Sequence, residues 1–302
     1  MKKYGFLIAA LLSVSAVSVQ AQELTGTLKK IKDSGKVVLG TRDSSAPLAY
    51  TLGGGKYVGY HVEMCERVID AIKRQIKAPS VTTEYVLVTS QNRVPLVENG
   101  TVDLECGSTT NNLARQKQVA FAFTTFLTEV RMAVKAKSGI TSINQLNGKT
   151  VVTTTGTTSV QHLRKHERGA NIDFKTVFGK DHSDSFLLLE SGRADAFVMD
   201  NNILIGNIIN AKNPQDFVVT GEVLSVEPIA AMFRKDDPAF KKAVDDAIRA
   251  MMQSGELQKL YAKWFQSPIP PRGANPNLPM SAGLKALMAN PNDKPMEDYA
   301  AK

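Results

Sequence analysis

The sequence predicts an α/β protein of two lobes, each built on a largely parallel sheet, and three observations point there. Strand-like and helix-like patterns alternate along most of the 302 residues, the order that packs helices against parallel strands. Once an N-terminal leader is set aside, about 280 residues remain, more than one core usually holds. A short stretch also recurs. ENGTVDLECGS (98–108) and ESGRADAFVMD (190–200) share Glu, Gly and Asp at one spacing: a helix end, a glycine suited to a left-handed cap, then a strand.

The leader, MKKYGFLIAALLSVSAVSVQAQ, has two lysines, an apolar run and small residues at Val19 and Ala21. This is the pattern of a signal peptide, residues 1–21, cleaved after Ala21. No later run approaches the roughly 20 apolar residues of a membrane span. Strands are expected at 36–42, 81–89, 102–106, 149–154, 174–178, 194–199, 217–220 and 230–233, from their β-branched and apolar content. From His61, a stripe of Val62, Cys65, Val68, Ile69, Ile72 and Ile76 has helical spacing. Asp237 followed by Pro238 reads as an N-cap and first helical residue, opening a long amphipathic helix that Gly255 breaks. A second helix through Trp264, a Pro-rich stretch after Ser267 and a short helix at 281–288 complete the chain.

The formal charge of +8 falls to +6 when Lys2 and Lys3 leave with the leader. No basic run interleaved with aromatics accompanies it, which argues against nucleic acid and leaves an attraction for small anions. The two cysteines, Cys65 and Cys106, fall on a predicted helix and a predicted strand; an exported chain permits their pairing, and spacing alone leaves it open. No histidine or cysteine spacing suggests a metal site, and no cofactor motif is present. His162 and His166 lie four apart among Arg164, Lys165 and Arg168, which repel cations.

Residues 89–116 read TSQNRVPLVENGTVDLECGSTTNNLARQ, with Arg93 and Arg115 flanking a run of hydroxyl and amide side chains that follows a strand. Two arginine forks with hydroxyls at a strand's carboxyl end suit a small diacid. In the repeated stretch, the residues five beyond the shared Asp are Ser108 and Asp200, each expected at a strand's carboxyl end, where open α/β sheets bind ligands. Taken singly, these side chains also have ordinary structural roles: Arg42 and both other arginines at the surface, Ser90, Ser108 and Asp200 as helix caps, His182 as a surface or capping residue.

The fragments TSQNRVPL, ECGSTTNN, TTTGTTS, KDHSDSFLLLESGRADAF and KWFQSPIPP, in this order, resemble the glutamate/aspartate periplasmic binding proteins of ABC importers, extracellular solute-binding protein family 3. The likeness runs from about residue 35 to 293. It implies the type II periplasmic binding protein fold, with two crossover strands as a hinge near 126–129 and 225–229. Lobe one would be 22–127 and 229–302, and lobe two 128–228.

By the same resemblance, Arg115 and Thr110 hold a ligand α-carboxylate, Thr158 adds a contact from the closing lobe, and Ser108 and Asp200 receive the α-ammonium. The side-chain carboxylate meets Arg42, Ser90, Arg93 and His182. A protonated His182 would be the better carboxylate partner, so affinity is expected to weaken above neutral pH. Asn201 departs from the acidic residue often found after the amine-binding Asp, and the cysteine placement also differs. The implied protein is a non-catalytic periplasmic carrier of L-glutamate or L-aspartate, a monomer that docks on an inner-membrane permease. The rivals are a dehydratase or lyase on the same fold, using Asp200, Glu105 and His182, and an exported amino-acid sensor.

Overall fold

The structure, a computed structural model, describes residues 23–299, so the signal-peptide reading of 1–21 lies outside the described residues. Helix α1 (Gly26–Ser34) ends at Gly35, whose φ of 67° gives the left-handed cap and turns the chain into β1 (Lys36–Thr41). A small antiparallel meander follows, formed by β2 (Ser44–Ser45), β3 (Ala49–Thr51) and β4 (Tyr57–Val58). Helix α2 (Tyr60–Gln75) carries the first five residues of the predicted stripe and Ile76 is its C-cap; all six are buried.

The first lobe continues through β5 (Thr82–Leu87), α3 (Arg93–Glu98), β6 (Leu104–Glu105), α4 (Leu113–Gln116) and β7 (Val119–Phe121). The chain then crosses in β8 (Phe126–Lys135) to the second lobe, which comprises β9 (Thr150–Thr154), α5 (Thr158–Ala170), β10 (Lys175–Gly179), α6 (His182–Glu190), β11 (Ala196–Asp200) and α7 (Asn201–Ile209). It returns along β12 (Phe217–Ile229) to β13 (Met232–Arg234), and ends in α8 (Pro238–Gln253), α9 (Glu256–Phe265) and α10 (Ala282–Ala289). The expected 217–220 strand and the second crossover are one element, β12, with a register irregularity between Thr220 and Ser225.

The two large sheets match strand for strand, in the orders β5-β1-β6-β13-β7 and β10-β9-β11-β8-β12. In each, three parallel strands are followed by an antiparallel one. The hinge is the paired segment of β8 and β12, from Phe126↔Ile229 to Val130↔Ser225. Disclosing the basis of the sequence repeat, β6 and β11 occupy the same position in their sheets, so Ser108 and Asp200 leave equivalent strand ends.

Alternating residues of the first sheet face different cores, as a pleat requires. Val37, Leu39 and Phe233 join α2, α8 and α9, while Val38, Val119 and Met232 pack with Val88 and Val97. Phe126, Tyr261 and Phe265 stack at ring separations of 4.7 Å and 4.5 Å, which anchors the start of the hinge strand in the first lobe's core. Asp237 caps α8 by accepting from Phe240 N at 3.1 Å and also accepts from Thr27 N at 2.7 Å, joining the two ends of the lobe. Cys65 of α2 and Cys106, just past β6, form a disulfide. Among the described residues, no helix is long and apolar enough to cross a membrane.

Candidate functional site

The carboxyl ends of both sheets face each other across a cleft, and the lobes are closed over it. Gly156, at φ +79°, lets the backbones meet: a Cβ there would stand 2.8 Å from the Gln91 backbone. Arg115 Nη2 reaches Gly156 O at 3.5 Å, and Ser44 Oγ donates to Asp181 from the opposite lobe.

Arg42 follows β1 directly and is fully buried. Its Nη1 donates to Ser108 Oγ at 3.2 Å, and its Nη2 to Ser90 Oγ at 3.0 Å. The same Nη2 lies 3.5 Å from Asp181 Oδ2 and 3.3 Å from His182 Nε2, both on the second lobe. Gly107 makes room for this arginine, since a Cβ there would come within 2.3 Å of Glu105 Oε1 and 2.6 Å of Arg42 Cγ. His61, buried on α2, supports the same loop: Nδ1 donates to Gly107 O at 2.6 Å, and Nε2 lies 2.8 Å from Thr125 Oγ1. Burial pushes the His61 pKa down to about 4, only partly opposed by the Gly107 carbonyl.

Arg93 opens α3 and is 2 % exposed. Its Nε and Nη1 find no acceptor among the described residues, a costly condition for buried donors. Burial, then Arg115 and Arg42, work against its charge, while Glu105 and Asp200 favour it. Asp200, 4 % exposed at the end of β11, has the complementary problem. Burial and the repulsion of Glu227 raise its pKa well above the usual carboxylate range, against the pull of Arg93, Arg115 and Arg42. A guanidinium seeking an anion and a carboxyl seeking a cation thus share one cleft.

His182 corrects the pH expectation. Arg42 has only donors to offer, so His182 Nε2 accepts, and the ring proton sits on Nδ1, 2.9 Å from Thr154 Oγ1. Burial, then Arg42, pushes its pKa down to about 3, although the neighbouring Asp181 opposes this. The ring is neutral at physiological pH and serves as an acceptor that orients Arg42.

The other end of the cleft holds a residue that the sequence reading did not single out. Glu227, on the hinge strand β12, is completely buried. Its Oε2 accepts from Thr110 Oγ1 and, at 2.8 Å, from Thr158 Oγ1, and its Oε1 lies 2.9 Å from His162 Nε2. Burial disfavours its charge, but the bonds from His162, Thr110 and Thr158 together keep its pKa below the ordinary value. The signal in the sequence was a single acid in the otherwise apolar run VEPIAAMF. Arg115, half-buried on α4, donates from Nη1 to Thr110 O at 2.7 Å.

The structure therefore gathers Arg42, Ser90, Ser108 and His182 into one hydrogen-bonded group and Thr110, Thr158 and Arg115 into another. Arg93 and Asp200 lie within electrostatic reach of each other and of Arg42 and Arg115. The hydroxyl protons of Thr110 and Thr158 point at Glu227, which differs from the expectation that these hydroxyls donate to a ligand carboxylate.

Comparison with known proteins agrees with this architecture. The profile of the bacterial extracellular solute-binding proteins, family 3, matches residues 37–267. The chain is 49% identical over 293 residues to an L-glutamate/L-aspartate-binding protein of Pseudomonas aeruginosa, covering 96% of each chain. It is 42% identical over 287 residues to a glutamate/aspartate import solute-binding protein of Escherichia coli strain K12, covering 94% of this chain and 95% of that one. Among solved structures, a solute receptor for L-cysteine of Neisseria gonorrhoeae superposes with a TM-score of 0.71 at 26% identity, covering 84% of this chain and 99% of that one.

Proposed function

The chain belongs to the bacterial extracellular solute-binding proteins, family 3, and from that premise we propose that it is the periplasmic binding component of an amino-acid ABC importer, carrying L-glutamate or L-aspartate to a membrane permease. The observation that carries this reading is that buried Arg93, two of whose donors lack acceptors among the described residues, shares a cleft with buried Asp200, whose carboxyl is held toward neutrality. A ligand with a carboxylate at each end and an ammonium satisfies both at once.

In this reading Arg115 and Thr110, with Thr158 from the second lobe, border the α-carboxylate. Ser108 and Asp200 receive the ammonium, and Arg42, Ser90 and Arg93 meet the side-chain carboxylate, with His182 orienting Arg42. Amides leave the guanidinium pair without a counter-charge and bind less well. The names of the relatives support import over catalysis. The protein acts as a monomer, engages no nucleic acid and releases its ligand unchanged. Ligand drives closure through its greater affinity for the closed form, in which both lobes touch it. A micromolar dissociation constant corresponds to about −8 kcal/mol.

Isothermal titration calorimetry of ligand-stripped protein with L-glutamate, L-aspartate, L-glutamine and L-leucine tests the proposal. One-site binding of both acids, with the amide much weaker and leucine silent, is the expected result. Failure of both acids to bind overturns it.

A further inference from the structure

Asn111 follows Thr110 directly and is fully buried, with every polar group it has committed. Its backbone N–H donates to Pro228 O on the hinge strand β12 at 2.9 Å, and its carbonyl accepts from Met296 N at 2.8 Å. Its Oδ1 accepts from Gln116 Nε2 at 2.8 Å, and its Nδ2 donates to Asp293 O at 2.9 Å and to Lys294 O at 3.4 Å. Residues 293–296 thus hold both the backbone and the side chain of a loop residue next to the cleft. The same segment is tied elsewhere. Asn292 O accepts from Thr124 N at 2.9 Å, and Asp293 Oδ2 pairs with Lys241 Nζ of α8 at 2.8 Å. Glu297 Oε2 accepts from Leu113 N at 3.1 Å; Leu113 opens α4, and such an N–H has no acceptor within its helix.

We infer that residues 292–297 form a strap that positions the loop carrying Thr110 and Arg115, and that strap and anion site are coupled through Asn111, so that each holds the other in place. The strap's ties are polar and none of residues 291–299 is buried, so it can lift away without opening a core. Lifting it strips partners from a buried asparagine and frees the loop, and a ligand then has to order that loop as it binds. By linkage, a ligand that orders the loop holds the strap down by the same factor. Asn111 and the strap touch no ligand and are positioning elements. The coupling to affinity rests on the ligand contacts proposed above; the hold on the loop does not.

Met296→Pro tests the inference in the full chain. Met296 opens a single 3₁₀ turn (Met296–Asp298), and Pro295 before it has φ −73° and ψ 162°. Proline suits the first position of such a turn and tolerates that conformation in its predecessor, so the substitution removes the N–H that Asn111 accepts and little else. Hydrogen exchange of residues 108–116 in the ligand-free variant is expected to quicken while that of β1 and α2 stays as in the wild type. Calorimetry is expected to find L-glutamate bound about threefold to tenfold more weakly, the range of one hydrogen bond. Asn111→Ala should weaken it further, and adding Met296→Pro to Asn111→Ala should cost nothing more, because both cut the same connection. Unchanged exchange at 108–116, or losses of affinity that simply add, overturn the inference.

The wild type gives an independent reading that no failure of a variant to fold can remove. Saturating L-glutamate is expected to slow exchange across residues 291–299 and to leave the turn at 272–277 as it was, since that turn bonds to Ile269 and Gln266. A strap indifferent to glutamate overturns the coupling. Failure of the wild type to bind either acidic amino acid overturns the ligand reading, and the exchange of 108–116 in Met296→Pro, which needs no ligand, then decides the hold on the loop separately.

Discussion

At one end of the cleft, Arg42 and Arg93 bring more donors than the described residues have acceptors for, and Nε of each is buried without a partner among them. At the other, Glu227 gathers three donors and keeps its charge. The first end is electrostatically incomplete and depends on what binds there; the second is complete before anything binds. The difference is also one of support. The arginine end rests on the first lobe, where the Cys65–Cys106 disulfide and His61 fix the loop around Gly107. The Glu227 end is assembled across the hinge from both lobes, so its geometry depends on closure. Affinity should therefore reside chiefly in the first end.

The strongest way to break that contrast is Arg93→Met. Truncating one partner of a buried charge pair costs up to about 5 kcal/mol of binding, so calorimetry should find almost no affinity for glutamate. Thermal melting of the ligand-free variant should match or exceed the wild type, because a buried, under-partnered guanidinium costs stability. A lower melting point with affinity retained would show that Arg93 is a structural residue.

Next in size is the disulfide. Closing a loop with a sequence separation of 41 residues stabilises by about 4 kcal/mol in the chain-entropy treatment. Cys65→Ala/Cys106→Ala should lower urea stability by about that amount. Because Cys106 adjoins Gly107, it should also weaken glutamate binding at the arginine end.

Acid sensitivity follows from His61. The folded protein holds it at a pKa of about 4, against 6.5 for the unperturbed group, so between those values the unfolded chain binds more protons. Stability is full above pH 6.5 and falls as pH drops toward 4, by about 3 kcal/mol from this residue. His182 acts in the same direction. Urea titrations at several pH values should show the decline, and His61→Gln should make it shallower.

The smallest expected effect is on binding itself. With His182 neutral, glutamate affinity should not weaken as pH rises from about 5.5 to 8.5. A steady weakening across that range would restore a protonated His182 as a direct carboxylate partner.

Much of this protein was legible in its sequence where the signal was local. The α2 stripe, the Asp237-Pro238 helix start and the echo that places Ser108 and Asp200 at matching strand ends all depend on residues close together in the chain. The resemblance brought the scattered arginines, Ser90 and His182 to one cleft. Glu227 was missed because its partners lie 117, 69 and 65 residues away, and an acid inside a strand has no periodic signature. The protonation of His182 was misread for a related reason. The adjacent Asp181 favours the charged ring, whereas the effects that prevail, burial and the distant Arg42, exist only once the lobes meet. The two- and three-residue strands of the meander fall below the length at which alternation can be recognised.

The position of β13 between β6 and β7 also orders the protein's assembly. All five strands of the second sheet lie between residues 126 and 229, so that sheet is complete in a nascent chain that has not yet delivered Met232. The first sheet begins earlier and finishes later. Until β13 arrives, β6 and β7 have no strand between them, and the loop carrying Ser108 and Thr110 leaves an unfinished edge. Even then Asn111 waits for the last residues of the described chain, where its carbonyl accepts from Met296 N and its side chain donates to Asp293 O. Since chains emerge N-terminus first, the half of the cleft that contributes all three arginines is begun first and completed last, once the residues around Met296 are in place.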